Sequence, residues 1–268
     1  MPQEKTFTAL VLAGRRGPSD PVAQAAGCSH KVLVPVAGIP MLARVLREVR
    51  AVPQVKKIAV SIDDPTILNS LPEVRSLVES GVVQVHSSGP SPAASVLAYF
   101  QSLSPQEPLI VTTADHPLLT AEMLTYFCTA VTASDADVVA GVMATSVFRE
   151  QYPHSKRSFI PLRGESFCGT NLFALCTSQA VSAAQFWEHA GQFRKRPWRL
   201  ISTFGLTNLL LLALKRLDLQ AAIPRASRVL GARVAVVQMP FPECAIDVDN
   251  LDDFAMATQI LTVRENQR

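Results

Sequence analysis

Short apolar runs alternate with segments of helical periodicity over the first half of the chain. Continuous runs of roughly four to eight apolar residues are typical of buried strands, and they predict strands at 7–12, 57–62, 82–85, 108–113 and 137–142. Apolar residues at helical spacing, preceded by a capping residue or a proline, predict helices at 41–49, 91–102 and 120–133. This alternation predicts an α/β fold with a mostly parallel sheet and helices on both faces.

The alternation weakens after residue 145. We expect extended segments at 159–162 and 168–175, one of them antiparallel, and a helix at 178–190. The chain then looks mainly helical to Gly231 and returns to a strand at 232–238, a short extended piece at 245–247 and a last helix at 251–261. Residues 14–31 are expected to form a loop and 32–36 a short extended piece. The sequence contains no internal repeat, and we interpret 1–268 as a single domain whose parts are 6–145, 146–231 and 232–262.

Composition narrows the class of protein. Hydrophobic residues make up 48% of the 268 residues and the net charge is only +3, which excludes a disordered chain and argues against nucleic acid as a partner. Mean hydropathy is +0.21, yet the apolar run at 209–214 is far shorter than the ~20 residues of a membrane span. The five cysteines are widely spaced without a C-x-x-C pair, and no signal peptide is recognisable, so we expect a reduced, cytoplasmic protein.

A glycine-containing loop with cations follows the first predicted strand. It reads Leu12-Ala13-Gly14-Arg15-Arg16-Gly17, and Lys31 comes after it. Backbone N–H groups in such a loop can surround phosphate oxygens, and the cations suit a triphosphate. The loop matches neither the P-loop nor the G-x-G-x-x-G pattern. The alternative is an ordinary strand-to-helix turn with solvated arginines.

Carboxylates follow two other predicted strands. Asp115 stands two residues after the end of the strand at 108–113, where it is well placed to hold Mg²⁺ against phosphates. A second acidic group runs from Asp247 to Asp253. Helix capping explains the acids from position 249 onward but not Asp247. The alternative for Asp115 is the start of a turn before Pro117.

The turn at 86–96 is the fourth candidate. It contains Ser88, Gly89 and Ser95, follows a predicted strand and opens a helix. Backbone groups and hydroxyls in such a turn can contact the edge of a nucleobase. The alternative is a helix start without a binding role.

Together these segments resemble the nucleotidyltransferases with a Rossmann-like fold of the GT-A type, and most of all the molybdenum-cofactor guanylyltransferases and their relatives. The loop at 12–17 with Lys31 resembles the family's L-A-G-G-x-G-x-R opening, and Thr113-Ala114-Asp115 its metal-aspartate motif. The turn at 89–96 resembles the base-binding turn of the cytidylyltransferase branch, and 246–253 the closing D-[IV]-D-T-P-E-D phrase. The chain departs from the family at Arg15, where a glycine is usual, and at 250–251, where Thr-Pro is usual.

The resemblance implies transfer of a nucleotidyl group from a nucleoside triphosphate, CTP or GTP, to a phosphorylated small molecule, with Mg²⁺ and release of pyrophosphate. It implies catalytic roles for Lys31 and Arg16 and metal binding by Asp115 and Asp247. The implied nucleotide-binding residues are Leu12, Ala13, Gly14, Arg15, Gly17, Ser88, Gly89 and Ser95.

The acceptor is expected at 146–231, a partly helical region where the resemblance fades. Asn171 and the cations Arg194 and Arg196 are the candidate acceptor-binding residues, although Asn171 could be a simple turn residue. The cluster at 194–199 could instead lie on an anionic membrane surface or form a solvated charge run. The sequence favours no oligomeric state.

Two other function classes remain open. A glycosyltransferase of the same general fold would use Asp247-Val248-Asp249 as a D-x-D metal motif. A non-catalytic nucleotide-binding relative would keep the fold, and Arg15 leaves room for it. Pyrophosphate release, nucleoside diphosphate release from a sugar nucleotide, or binding without turnover distinguishes the three classes.

Overall fold

The structure, a computed structural model, describes residues 5–15, 17, 19–155, 157–190, 210, 214 and 216–267. The strands are β1 (Phe7–Leu12), β2 (Pro35–Val36), β3 (Ile39–Pro40), β4 (Val55–Ile62), β5 (Val83–Ser87), β6 (Leu109–Thr113), β7 (Val138–Ala144), β8 (Ile160–Pro161), β9 (Ser166–Leu175) and β10 (Val234–Gln238). The α-helices are α1 (Pro21–Ala25), α2 (Met41–Arg50), α3 (Pro72–Glu79), α4 (Pro92–Ser102), α5 (Ala121–Thr132), α6 (Thr145–Gln151), α7 (Ala180–Ala190), α8 (Leu219–Leu230) and α9 (Leu251–Asn266).

The main sheet is mixed and mostly parallel. Its strand order is β10-β7-β9-β6-β1-β4-β5, and β8 pairs with β9. The strands β6, β1, β4 and β5 are mutually parallel, as are β10 and β7. The long strand β9 runs antiparallel to both β6 and β7, which confirms the antiparallel strand expected in the second half.

Helices cover both faces of this sheet, as the alternation predicted. Residues of α2, α3, α5 and α9 pack with the strands in one hydrophobic core. Residues of α4 and α7 form a second core with β1, β6 and β9 on the other face. The two cores bury the apolar excess of the composition, because strands covered on both faces need apolar side chains on both sides.

Capping residues set several helix starts at the predicted positions. The Ser91 side chain accepts a 3.1 Å hydrogen bond from the Ala94 amide at the start of α4. Thr120 caps α5 in the same way, and Asn250 caps α9. Each cap satisfies one of the free N–H groups of a first helical turn. The helix α9 continues to Asn266, five residues beyond the predicted end at 261.

Three segments differ from the prediction. Residues 14–31 are not all loop, because Asp20 accepts hydrogen bonds from the Val22 and Ala23 amides and caps the short helix α1. The expected extended piece at 32–36 begins as a 3₁₀ turn, Lys31–Leu33, and continues into the β2–β3 hairpin. The segment expected to be extended at 245–247 starts as the 3₁₀ turn Pro242–Ala245. Such single turns are too short to give a periodic signal.

The sequence also predicts reduced cysteines and no membrane span. All five cysteines are free thiols, and four of them are buried. No helix in the described part of the chain is long and apolar enough to cross a bilayer. The first part of the helical prediction for 192–231, residues 192–209, lies outside the described residues. The helix α8 confirms the last part of this prediction.

Candidate functional site

Two adjoining clefts open at the carboxyl ends of β1, β4 and β6, where α/β proteins bind ligands. The larger has a volume of about 570 Å³ and the smaller about 180 Å³. Leu12, Gly14, Arg15 and Asp115 line both of them, so the clefts form one continuous site. The predicted residues Ala13, Gly17 and Lys31 line the smaller cleft, and Ser88, Gly89, Ser95 and Asn171 line the larger.

The loop after β1 packs directly against the turn after β5. A Cβ atom added to Gly14 would lie 3.0 Å from the Ser88 hydroxyl oxygen, so a larger residue would push the two segments apart. Gly17 has nothing within 4 Å of such an atom. The glycine at position 14 therefore permits close packing of the two segments. Arg16, predicted to be catalytic, lies outside the described residues.

Arg15 stands where the family usually has glycine, and its side chain turns toward β4. Its Nε atom donates a 2.8 Å hydrogen bond to the Asp63 carboxylate, and its backbone amide donates another at 3.2 Å. Burial raises the pKa of Asp63, but these hydrogen bonds and the charge of Arg15 outweigh it, so the pKa lies below its usual value. Asp63 thus holds in place the Arg15 side chain, which lines both clefts.

The ammonium group of Lys31 joins three segments that are far apart in sequence. It lies 2.6 Å from a carboxylate oxygen of Asp115, 3.0 Å from the Val248 carbonyl oxygen and 3.3 Å from a carboxylate oxygen of Asp249. The Val248 amide in turn donates a 2.9 Å hydrogen bond to the Asp115 carbonyl oxygen. The side chains of Lys31 and Asp115 are 15% and 8% exposed, so this ion pair is shielded from water.

Asp247 faces a different set of partners from Asp249. Arg157 forms an ion pair with one of its carboxylate oxygens, and the Asn171 side-chain amide donates a 3.0 Å hydrogen bond to the other. Burial raises the pKa of Asp247. The charge and hydrogen bond of Arg157 and the hydrogen bond of Asn171 outweigh this effect, so the pKa lies below its usual value and the carboxylate stays ionised. The two acids of the D-x-D sequence therefore do not share one partner.

Asn171 is brought to the site by an unusual backbone conformation. It lies within β9 rather than in a turn, with a φ of 53°. Among non-glycine residues asparagine tolerates this left-handed conformation best, and such residues cluster at functional sites. The predicted acceptor residues Arg194 and Arg196 lie outside the described residues.

Ser95 supports the turn after β5 from below. Its hydroxyl accepts a 2.9 Å hydrogen bond from the Gly89 amide and donates one of 3.1 Å to the Ser91 carbonyl oxygen. Because Ser95 is only 3% exposed, its hydroxyl shapes the turn. Ser88 and Gly89 line the larger cleft beside it.

An aromatic pair that sequence reasoning missed forms part of the larger cleft. Phe173 and Trp187 have ring centroids 4.8 Å apart, and both line the cleft together with Glu188. Trp187 is 38% exposed although it is large and apolar. The helical pattern of 178–190 could have pointed to Trp187, but nothing local in the sequence links it to Phe173.

Two further residues were missed because their partners are distant in sequence. Arg157 reaches Asp247 across 90 positions. His116 is fully buried and its Nε2 atom lies 3.2 Å from the Glu243 carbonyl oxygen. Burial lowers the pKa of His116, so the neutral ring can donate this hydrogen bond and tie the segment before Asp247 to the end of β6.

The donor set of the site fits Mg²⁺. No group of three or more histidine, cysteine, aspartate or glutamate side chains is arranged for a metal within the ranges that the structure describes. Mg²⁺ needs no such cage, because it commonly binds one or two carboxylates plus substrate phosphates and waters. Asp115 and Asp249 are two carboxylates that already contact one cation, and the buried Thr113 hydroxyl beside them lacks a partner in the described part of the chain.

The chain resembles several known proteins. It matches a hypothetical transferase structure from Thermus thermophilus with a TM-score of 0.76 and 27% identity, over 93% of this chain and 99% of the other. The 4-diphosphocytidyl-2C-methyl-D-erythritol synthase of Anaerococcus prevotii has the same fold, with a TM-score of 0.57 and 14% identity over 97% and 100% of the two chains. A CMP:2-keto-3-deoxy-manno-octonic acid synthetase in complex with CTP gives 0.57 and 14% over 97% and 99%. No curated protein matches the chain.

A family model for the MobA-like NTP transferase domain matches residues 9–194. The match extends past residue 145, where the sequence resemblance faded, and includes Asn171, Phe173 and Trp187. It favours nucleotidyl transfer over the glycosyltransferase and non-catalytic alternatives. Since it covers more than half of the chain and contains the clefts described above, the chain belongs to the MobA-like NTP transferase family and is a nucleotidyltransferase.

Proposed function

We propose that the protein transfers an NMP group from a nucleoside triphosphate, CTP or GTP, to a phosphorylated small molecule, with Mg²⁺ and release of pyrophosphate. The observation that carries the proposal is the Lys31–Asp115 ion pair of 2.6 Å. Both residues line the smaller cleft, and Asp115 also lines the larger one. A cation and a carboxylate at that junction suit a reaction that needs charge neutralisation and alignment more than covalent catalysis.

In this reaction a phosphate oxygen of the acceptor attacks the α-phosphorus, and the bond from that phosphorus to the bridging oxygen of pyrophosphate breaks. Lys31, together with the predicted Arg16, would stabilise negative charge that develops on the phosphates. Arg15 would border the triphosphate while Asp63 holds its side chain. Bound Mg²⁺ would supply further charge neutralisation at the phosphates.

Asp115 is the first proposed ligand of Mg²⁺. Asp249 is a suitable second ligand, because it contacts the same ammonium group as Asp115. Our prediction that Asp247 binds the metal would require Asp247 to exchange its contacts with Arg157 and Asn171. Replacing Asp247 and Asp249 separately by asparagine would show which of them the metal-dependent reaction needs.

The strand order supports binding of the two substrates on opposite sides of β6. The loop after β1 and the turn after β5 would hold the triphosphate and the base, on one side of Asp115 at the end of β6. Strand β9 lies on the other side of β6, and it carries Asn171 and Phe173 into the larger cleft. The acceptor would therefore approach from the side of β9 and α7.

Two measurements test the proposal. Thermal stability is recorded with ATP, CTP, GTP and UTP in the presence of Mg²⁺, since a ligand at ~100 times its Kd stabilises the folded state by about 2.7 kcal/mol. Pyrophosphate release is then followed with the stabilising nucleotide and a pool of phosphorylated metabolites. We expect Lys31→Ala and Asp115→Ala each to lower the rate at least ~100-fold. Unchanged transfer in either variant would contradict the proposed roles.

A further inference from the structure

The larger cleft contains an aromatic pair beside a carboxylate. Trp187 and Glu188 are neighbours in α7, and both line the cleft together with Phe173 of β9. The ring centroids of Phe173 and Trp187 are 4.8 Å apart, and the ring planes are inclined by 52°. Rings at this angle do not cover each other as a parallel stacked pair would, and 38% of Trp187 stays exposed. An aromatic surface therefore remains open to a ligand.

Glu188 differs from the other charged residues that line this cleft. Arg15 forms an ion pair with Asp63, and Asp115 forms one with Lys31. The Glu188 side chain is half-buried, yet it has no ion pair or hydrogen bond with any residue that the structure describes. A carboxylate that loses water without gaining a partner is destabilised. A ligand that fills this part of the cleft is therefore favoured if it brings a positive charge.

We infer that the acceptor carries an ammonium group in addition to its phosphate, and that this group binds against Trp187, Phe173 and Glu188. The inference rests on the proposed function and narrows its acceptor to a phosphate that also bears a cation. The face of an aromatic ring attracts cations, and tryptophan does so best. Quaternary ammonium groups suit such rings especially well. The carboxylate of Glu188 supplies the opposite charge beside the ring.

Other acceptors fit this part of the cleft less well. A neutral apolar group would contact the rings, but it would displace water from Glu188 without giving that carboxylate a partner. A second anionic group would be repelled by the same carboxylate. The phosphate of an acceptor that also bears a cation would face the end of β6, where Lys31 lies beside Asp115. Its ammonium group would stay at α7, so each end of the molecule meets the opposite charge.

Two probes that differ only in charge test the inference. Phosphocholine carries a trimethylammonium group, and neohexyl phosphate has a carbon atom in place of that nitrogen, so their shapes are nearly the same. Each is titrated by calorimetry into the full-length protein, with and without Mg²⁺ and a non-hydrolysable analogue of the stabilising nucleotide. We expect the wild type to bind phosphocholine at least ~10-fold more tightly than neohexyl phosphate. If phosphocholine binds no more tightly than neohexyl phosphate in either condition, the inference is overturned.

Two variants assign this preference to the residues named. Glu188→Gln keeps the size of the side chain and removes its charge, and we expect it to weaken phosphocholine binding about fivefold without changing the binding of neohexyl phosphate. Trp187→Leu keeps an apolar surface without a ring and should reduce the preference in the same way. Glu150→Gln is the matched control, because Glu150 is an exposed acid of α6 that lines neither cleft. An equal loss in Glu150→Gln would contradict the inference, since only net charge would then matter.

Failure of the proposed function would give a different result. The protein would then bind no Mg²⁺–nucleotide and release no pyrophosphate with any acceptor, whereas the two probes would still differ in affinity. If the proposed function holds and the inference fails, pyrophosphate release would be as fast with neohexyl phosphate as with phosphocholine.

Discussion

The side-chain amide of Asn171 donates a 3.0 Å hydrogen bond to the carboxylate of Asp247. This contact links β9, in the middle of the sheet, to the segment that follows β10. Arg157 contacts the other carboxylate oxygen, so Asp247 binds both Asn171, which lines the larger cleft, and the Arg157 guanidinium group. Asp247 therefore orients Asn171, whose backbone already has a φ of 53°.

Three substitutions at Asn171 distinguish the contribution of its backbone conformation to stability from that of its side-chain amide. Asn171→Gly keeps the left-handed conformation but removes the hydrogen bond, and we expect a loss of about 1 kcal/mol in the free energy of unfolding. Asn171→Ala adds backbone strain of about 1 kcal/mol. Asn171→Asp places a second negative charge beside Asp247 and should be the least stable of the three. Urea denaturation measures this order, and an alanine variant as stable as the glycine variant would refute it.

The same variants test the role of Asn171 in acceptor binding. We expect Asn171→Gly to lower pyrophosphate release about tenfold, while stabilisation by Mg²⁺–nucleotide stays as in the wild type. The reason is that Asn171 lies on β9, across β6 from the loop after β1. A loss of nucleotide binding that equals the loss of rate would place Asn171 on the nucleotide side instead.

Replacing Gly14 by alanine should disturb the site through a steric effect alone. The new methyl group would lie 3.0 Å from the Ser88 hydroxyl oxygen and 3.1 Å from its Cβ atom. We expect a loss of about 1 kcal/mol in stability and weaker binding of the nucleotide that gives the largest thermal shift. Gly169→Ala is the matched control, because nothing lies within 4 Å of its added methyl group and Gly169 lines neither cleft. Equal behaviour of the two variants would show that the contact with Ser88 is unimportant.

The parts of the fold that the sequence predicted well are those with local signals. The strands at 7–12 and 108–113 and the caps Ser91 and Thr120 follow from residues within a few positions of each other. The short helix α1 also had a local signal, Asp20 followed by Pro21, but it was outweighed by the surrounding loop composition. Single turns such as Lys31–Leu33 carry no periodicity and could not be recognised.

The site was predicted only where its residues belong to compact motifs. The structure brings Gly14, Lys31, Asp115 and Ser88 to adjoining clefts. It divides Asp247 from Asp249, which neighbouring positions in the sequence could not reveal. Arg157 and Trp187 were missed for a physical reason, since their significance comes from contacts with Asp247 and Phe173 that only the folded chain creates.

Trp187 should contribute to acceptor use rather than to nucleotide binding. It packs against Phe173 in the larger cleft and approaches from α7. We expect Trp187→Ala to lower pyrophosphate release roughly tenfold, which corresponds to about 1.4 kcal/mol, with the nucleotide-dependent thermal shift unchanged.

Two control variants accompany the Trp187 measurement. Trp187→Phe keeps an aromatic ring beside Phe173 and should retain most of the rate. Tyr126→Ala removes an equally exposed ring that packs against Phe241 outside the clefts, and should leave the rate unchanged. The interpretation is wrong if Trp187→Ala reduces the nucleotide-dependent shift instead of the rate.

Asp137 should make stability depend on pH at the start of β7. Hydrogen bonds from the Arg233 side chain, together with those from its amide and from Thr177, lower the pKa of Asp137 to about 2. Because the folded-state pKa lies below the unfolded value of ~4, the stabilisation is complete above pH ~4 and is lost as the pH falls toward 2. Asp137→Asn should therefore cost about 1–2 kcal/mol at pH 7, and progressively less below pH 4.

Urea denaturation of the wild type and Asp137→Asn at pH 7, 5 and 3 measures this difference directly. Asp135→Asn is the matched control, since Asp135 is an exposed neighbour two residues earlier, and its effect should stay within ~0.5 kcal/mol. The ion pair with Arg233 contributes less than its distance of 3.0 Å suggests, because the arginine side chain is 66% exposed and solvent screens its charge. Most of the effect should thus come from the hydrogen bonds of the Arg233 amide and of Thr177. A Thr177→Val variant that is as stable as the wild type at pH 7 would contradict that attribution.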